Sequence, residues 1–379
     1  MDSYKDAVNK LNYFISNDIL DYASKRNYDF GPEVRNNVSM LSKFISHSVL
    51  NEYDIINLSL SKYPLTKIDK YIQEVFWRIY WKGWLEHRPN VWSDYCNFVE
   101  DESNKNLIKA QNGETGIDCF DNWINELKEY NYLHNHTRMW FASIWIFTLK
   151  LPWQAGANFF MRHLFDGDAA SNTLSWRWVA GLQTVGKNYL ATASNIYKFT
   201  NKKFKPTNLN EEAEPVIDSK IYHINDVNFT LSDKQNELLV VCDTKLDYKN
   251  YKDFCERYEQ VLLLELDNDY RKIKLSSNVL KFKSLLINDF SENIPNSKVV
   301  SGKKLKEIIG QCGSYDIIYP NIGEHLTFLQ SLKIDTKACF IHNANDIYCW
   351  NYSKKGFFNF KKNIPLIINK IADKKDLFS

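Results

Sequence analysis

The stretch MRHLFDGDAASNTLSWRWVAG, Met161–Gly181, concentrates more chemistry than any other part of this 379-residue chain. It opens as the end of an apolar helix, breaks at a polar loop and enters a second helix rich in tryptophan. Asp166 and Asp168 stand two apart at the mouth of that helix, with Asn172 four residues further on. Carboxylates there accept from free backbone N–H groups and suit the positive end of the helix dipole. Upstream, Arg138 lies in HNHTRM, at the head of a strongly apolar run. A guanidinium buried there needs a carboxylate, and Asp166 is the natural partner. A structural ion pair with a helix cap accounts for the same residues. Trp176 and Trp178 flank Arg177, and Trp153 and Trp92 lie upstream. Such rings on an apolar face are ordinarily core, and their spacing does not separate packing from an electron-transfer chain.

Outward from this stretch the apolar pattern keeps a helical period through about residue 200. It predicts helices over Val38–Leu50, Lys70–Trp84, Ile117–Glu129 (entered through NGETG) and Leu133–Leu151. A further helix starts behind Pro152, which suits a first turn, and runs to about Phe165. No alternating strand pattern appears, so residues 1–205 read as all-α. Residues 206–236, with Pro206, Pro215 and an acidic run, read as a linker. From 237 to 379 the rhythm changes. Short apolar runs at Leu238–Cys242, Val261–Leu266, Asp316–Tyr319 and Ala338–Ile341 alternate with helical stretches at Tyr248–Glu259, Lys303–Ile309 and Glu324–Leu332. That alternation predicts a smaller α/β domain with a mostly parallel sheet.

Composition narrows the function classes. Hydrophobic residues make up 44% and charged residues 25%, the balance of a globular protein. A net charge of +2 excludes a wholly basic nucleic-acid binder and leaves only local patches such as Lys202, Lys203, Lys205, Lys303, Lys304, Lys354, Lys355, Lys361 and Lys362. A solvated surface explains those lysines equally. The seven cysteines have no metal-ligand spacing and read as free thiols of a reducing compartment. The opening MDSYKDAVNK lacks a signal-peptide profile, and no uncharged apolar run approaches the ~18 residues of a membrane span. These features predict the cytoplasm. Neither common glycine-rich phosphate loop is present. Ten of the 11 tryptophans precede residue 180, so the two halves are dissimilar.

Met161–Gly181, with YLHNHTRM (Tyr132–Met139) before it, resembles the flavin-binding heart of the DNA photolyase/cryptochrome family. Other pieces follow the family's order. YASKRN, with Tyr22, precedes VSMLS (Val38–Ser42), similar to the family's Thr-Ser-Arg-Leu-Ser segment. EVFWRIYW (Glu74–Trp81) is similar to its Glu-x-x-Trp-Arg-x-x-Tyr helix, with Tyr80 one position early. QNGETG (Gln111–Gly116) with Asp121 is similar to its Gly-x-Thr-Gly segment.

The resemblance implies an all-helical FAD-binding domain. It assigns Tyr22, Ser39, Leu41 and Ser42 to the FAD diphosphate and ribityl chain. Gln111 and Asn135 would line the flavin site, Arg138 and Asp166 would pair beside the ring, and Asp168 would reach its polar atoms. Asn172 would face flavin N5, where Asn goes with repair enzymes. Glu74, Trp77, Arg78, Met139 and Trp178 would meet a flipped-out cyclobutane pyrimidine dimer in UV-damaged DNA. Trp176, Trp153 and Trp92 would form a photoreduction chain from flavin to surface. The implied activity is light-driven dimer repair; the alternative is a sensory flavoprotein without repair. Departures include Met40 for the usual Arg, Leu174-Ser175 for a common Gly-Gly, and an α/β domain that follows the helical one. A second, antenna chromophore is left open, as is the match of YCWNYSKKGFFNFKKNIPLII (Tyr348–Ile368).

Overall fold

The structure, a computed structural model, describes residues 2–227, 229, 231–334 and 337–372. Its first half is helical. The longest element, Leu65–Glu86, turns Ile68, Ile72, Val75, Phe76 and Ile79 into the core at the spacing of one helix face. Trp123, Trp140, Trp145 and Trp176 are fully buried around it. The Trp-rich helix covers Ala169–Val179 and the helix before it Trp153–His163.

Two predicted helices are cut short for local reasons. Val38–Leu50 keeps only the turn Ser42–Ile45, because Met40 (φ 55°) and Ser48 (φ 56°) are left-handed. Its remaining polar groups bond to distant segments instead. Leu133–Leu151 is helical over Asn135–Ser143 and widens into a π-turn at Ile144–Thr148. From within that turn, the Trp145 indole N–H donates to the Pro152 carbonyl (2.9 Å).

The described residues from 203 to 236 hold no helix or strand. After them come β1 (Leu238–Cys242), β2 (Gln260–Glu265), β3 (Ser297–Ser301), β4 (Tyr315–Ile318) and β5 (Ala338–Ile341), in the order β3-β2-β1-β4-β5, all parallel. The apolar runs of β1, β2 and β4 suit strands covered on both faces. Edge strand β3, with sequence SKVVS, holds only two apolar residues, too short a run to signal a strand.

The carboxyl ends of β1 and β4 abut the helical half. His47 Nδ1 lies 3.0 Å from the Asp243 carbonyl, Ser48 Oγ donates to Thr244 O (3.0 Å) and Asn51 Nδ2 to Asp247 Oδ2 (2.9 Å). After β4, Tyr319 OH (2.7 Å) and the Ile322 N–H (2.9 Å) both donate to Glu86. Burial pushes that carboxyl up to about 7, although these bonds oppose the shift. The chain then runs back over the helical half as Ala344–Trp350, Phe357–Lys361 and Ile364–Ala372. Tyr53 OH donates to Asp346 (2.7 Å), and Phe360 packs on Phe76.

Gly83 is the tight point of this seam, because a Cβ there would run into the Trp350 ring and Ser353 Oγ. We expect Gly83→Ala to cost about 1–3 kcal/mol through overpacking, read as a lowered urea midpoint. An unchanged midpoint would mean that Trp350 does not dock closely.

Candidate functional site

The loop Phe165–Asp168 is where the two helices of Met161–Gly181 and the α/β unit meet. Asp166 is 5% exposed, and its Oδ2 accepts from Arg138 (2.9 Å), whose Nε donates to Leu133 O (2.9 Å). Burial alone would raise the Asp166 carboxyl. The Arg138 guanidinium outweighs that and holds it below the usual carboxylate range. The loop backbone is fixed as well. Ser46 Oγ donates to Asp166 O (2.9 Å), and His47 Nε2 lies 3.1 Å from Phe165 O. Burial and the neighbouring Lys283 push His47 down to about 3, so the ring is neutral.

Asp168 caps the Trp-rich helix, its Oδ1 accepting from Ser171 N (2.8 Å), while its Oδ2 accepts from Arg78 (2.9 Å). Arg78 also donates to Ser46 Oγ (2.8 Å). Arg78, expected to meet substrate, here neutralises a part-buried carboxylate. Both Asp168 oxygens thus accept from groups of the protein. Asn172 is buried with its Nδ2 on Ala157 O (2.9 Å).

Tyr22 lies edge-on to Tyr71 and Phe14, and burial pushes its phenol up. Leu41 is fully buried, so only its backbone faces a polar partner; Ser39 and Ser42 are half-buried beside it. Asn135 is exposed at the start of its helix, and Met139 is half-buried one turn on. Gln111 stands apart from this set: its amide donates to Glu100 (2.8 Å). Asp121 closes the NGETG turn, accepting from Thr115 N (3.0 Å) and Gly116 N (2.9 Å).

The residues expected to meet substrate already have partners. Glu74 pairs with Arg26, and burial raises its carboxyl against that pairing. Trp77 is stacked face to face on Phe357, with centroids 3.5 Å apart and planes 13° off. Trp178 stacks on Tyr189 at 5.7 Å. Trp176 is 2% exposed and Trp153 7%. Trp92, expected at the surface end of the chain, is only 3% exposed, and its indole donates to Thr327 of the α/β unit (3.1 Å). The α/β unit, which sequence reasoning could not dock, buries it.

A cavity of about 70 Å³ opens between the two halves, lined by Ser46, Asp168, Thr244, Arg271 and Lys283. An open groove of about 540 Å³ lies beside Trp153, Tyr95, Arg177 and Tyr222. The cysteines are free, and the described residues hold no metal-ligating cluster. None of their helices is long and apolar enough to cross a membrane.

Residues 71–214 match the family described as the FAD binding domain of DNA photolyase. Residues 71–214 thus form a domain similar to that of the photolyase/cryptochrome family. Among curated photolyase/cryptochrome relatives, a deoxyribodipyrimidine photo-lyase of Buchnera aphidicola subsp. Baizongia pistaciae is 31% identical over 209 residues, covering 52% of this chain and 42% of its own. The deoxyribodipyrimidine photo-lyase of Escherichia coli is 28% identical over 199 residues, covering 49% and 40%. The chain thus spans less than half the length of these relatives. Among solved structures, a class III photolyase from Agrobacterium tumefaciens is 25% identical with a TM-score of 0.46, covering 52% of this chain and 43% of its own. A Synechocystis cryptochrome is 21% identical with a TM-score of 0.46 over the same shares.

A photolyase/cryptochrome domain of this kind binds FAD, and the residues present suit it. Asp166 Oδ1, Arg78 Nε and Trp176 Nε1 are buried without a hydrogen-bond partner among the described residues. Buried polar atoms are rarely left so, and a polar cofactor is one way to satisfy them.

Removing Arg138 would leave Asp166 as an unpaired buried carboxylate. We expect Arg138→Ala to lose stability at the lower end of about 3–5 kcal/mol, because Arg138 is partly exposed. Since Arg138 depresses the Asp166 pKa, the pair stabilises the fold above the unfolded carboxylate pKa, and that contribution is lost as pH falls through the folded value. The gap between wild type and variant should therefore narrow toward acid pH. Arg138→Ala combined with Asp166→Asn should cost less than Arg138→Ala alone. A pH-independent gap would mean that the pair carries no charge coupling.

Proposed function

We propose that the protein splits cyclobutane pyrimidine dimers in DNA by light-driven electron transfer. When bound and reduced, FAD supplies the photo-excitable one-electron donor, and the protein supplies position and charge. The observation that carries this reading is the pairing of part-exposed Arg138 with buried Asp166, with Asn172 nearby in sequence on the capped Trp-rich helix. A cation held beside the ring stabilises the electron-rich form of a flavin. Asn172, Tyr22, Ser39, Ser42 and Asp166 are the side chains we assign to holding it, with Leu41 acting through its backbone.

Glu74 and Trp77 lie one turn apart on one helix. Glu74 would hydrogen-bond a pyrimidine edge, and Trp77 and Met139 would form the wall against a flipped-out dimer. Base stacking of this kind contributes on the order of 1–3 kcal/mol per base, and a base inside a duplex becomes reachable only when it is flipped out of the stack. DNA backbone contacts fall to the exposed lysines, so affinity should drop with salt. Trp176 and Trp153 form the inner part of a photoreduction path.

A second reading has its own support. Arg26 on Glu74 and Phe357 on Trp77 engage the substrate side internally, as a sensor without repair activity would. The deciding assay follows repair of a cyclobutane thymine dimer in an oligonucleotide by the flavin-reduced protein, under blue light and in the dark. Light-dependent repair supports the enzyme; bound FAD without repair leaves the sensor. Under the repair reading, Glu74→Ala should retain flavin and lose roughly ten- to hundredfold in dimer affinity or repair, as loss of one charge-assisted hydrogen bond of about 1.5–3 kcal/mol implies. Unchanged repair would refute the role of Glu74. Trp176→Phe should block photoreduction while sparing repair by chemically reduced protein.

A further inference from the structure

The path by which electrons reach Trp153 from outside can be traced from the rings around it. Trp153 is stacked on Tyr95 at 5.5 Å, and Tyr95 meets Trp92 at 5.6 Å. That branch is closed. Trp92 is covered by the α/β unit, and its indole N–H faces only the Thr327 hydroxyl, a poor base. Tyr95 is 2% exposed, and its hydroxyl has no hydrogen-bond partner among the described residues. A phenol gives up an electron readily only if its proton can leave, and here no acceptor receives it.

The other side of Trp153 is open. It borders the groove of about 540 Å³ together with Tyr222, which the irregular segment after the helical half brings back across the helix Pro89–Cys96. Tyr222 is half-buried, and its hydroxyl donates to Asp94 Oδ2 (2.9 Å). The same oxygen accepts from Lys220 Nζ (2.9 Å). Between the rings lies Arg177, 6% exposed, its guanidinium carbon 5.9 Å from the Trp153 centroid and 5.1 Å from that of Tyr222. Arg177 reaches Asp218 only at 4.0 Å, and its Nε has no partner. A fixed cation over Trp153 disfavours a positive hole on that ring. Tyr222 escapes the penalty by passing its proton to Asp94. On the inner side, Gly156 lies one turn after Trp153 and is packed on the Trp176 ring, where a Cβ would not fit, so one helix links the two tryptophans.

We propose that Tyr222, with Asp94 as its proton acceptor, is the outer electron relay to Trp153 and Trp176, in place of Trp92. The proposal rests on the flavin reading above. Photoreduction withdraws one electron from Trp176, and Trp153 refills it. One electron then passes from the Tyr222 ring to oxidised Trp153 as the phenolic O–H breaks and its proton moves to Asp94 Oδ2. This leaves a neutral tyrosyl and a neutral Asp94. An added thiol entering the groove restores the phenol by giving one electron and one proton. Two thiyl radicals couple to a disulfide, and Asp94 returns its proton to water. Burial and then the Asp94 hydrogen bond push the resting Tyr222 phenol up to about 12, so the proton stays on until the electron leaves.

The test uses the full-length, FAD-loaded protein with a simple thiol, flash illumination and electron paramagnetic resonance. The wild type is expected to give a tyrosyl signal. Tyr222→Phe should abolish it and slow flavin photoreduction several-fold, with the bound flavin per chain confirming a folded protein. Tyr222→Trp should restore photoreduction, because an indole can relay without immediate proton loss. Asp94→Asn should lower the tyrosyl yield with the ring in place. A tyrosyl signal that survives Tyr222→Phe, or photoreduction lost in Trp92→Phe and kept in Tyr222→Phe, overturns the assignment of Tyr222 alone. Wild-type protein that holds FAD but ignores Trp176→Phe overturns the underlying flavin reading with it.

Discussion

Asp166 is a carboxylate almost without solvent, and the centre of the molecule is organised around keeping it charged. An unpaired charge at that depth would be neutralised or would unfold its surroundings. Arg138 has to approach from the next helix, which fixes how the Asn135–Ser143 and Trp-rich helices cross. Ser46 then holds the Asp166 carbonyl, and His47 holds the preceding one. Because His47 also meets the carbonyl of Asp243 at the end of β1, the demand of one carboxylate extends to the seam with the α/β unit. Asp168 repeats the arrangement with Arg78 two residues along.

The two halves therefore act as one scaffold around the side chains proposed to hold the flavin. The helical half contributes Arg138, Asp166 and Asn172. The C-terminal unit contributes none of these, but it sets their boundaries: Thr327 caps Trp92, Phe357 covers Trp77, and the loop after β4 closes on Glu86. Its sheet directs its carboxyl ends inward, the edge at which parallel sheets gather polar loops.

The sequence carried the helical class, four of the five strands and the Arg138–Asp166 partnership, because each depends on local period or on an unavoidable charge requirement. It did not carry β3, whose two valines among polar residues look like a loop until β2 pairs with it. Nor did it carry the break at Met40 and Ser48, since left-handed backbone at non-glycine residues depends on what surrounds them. The partners of Glu74, Trp77 and Trp92 come from Arg26, Phe357 and Thr327. Only the last two lie hundreds of residues away, yet no motif announced any of the three. Tyr222 fell in a stretch read as linker. An Arg between two aromatic positions, Trp176 and Trp178, was visible, but not that it would sit between Trp153 and a tyrosine from outside the helices.

The seam between the halves joins residues far apart in the chain; Asn51 and Asp247 are separated by 196 positions. During synthesis the helical half emerges first, with the edge Ser46–Glu52 facing water and its bonding groups unclaimed. At ~5–20 residues per second, on the order of 10–40 seconds pass before the end of β1 and its following turn appear. Throughout that interval His47, Asn51 and Glu86 remain hydrated, and the seat for Trp350 at Gly83 stays bare. The last third of the chain is thus the piece that closes the nascent protein, and truncated chains would carry an open, sticky flank.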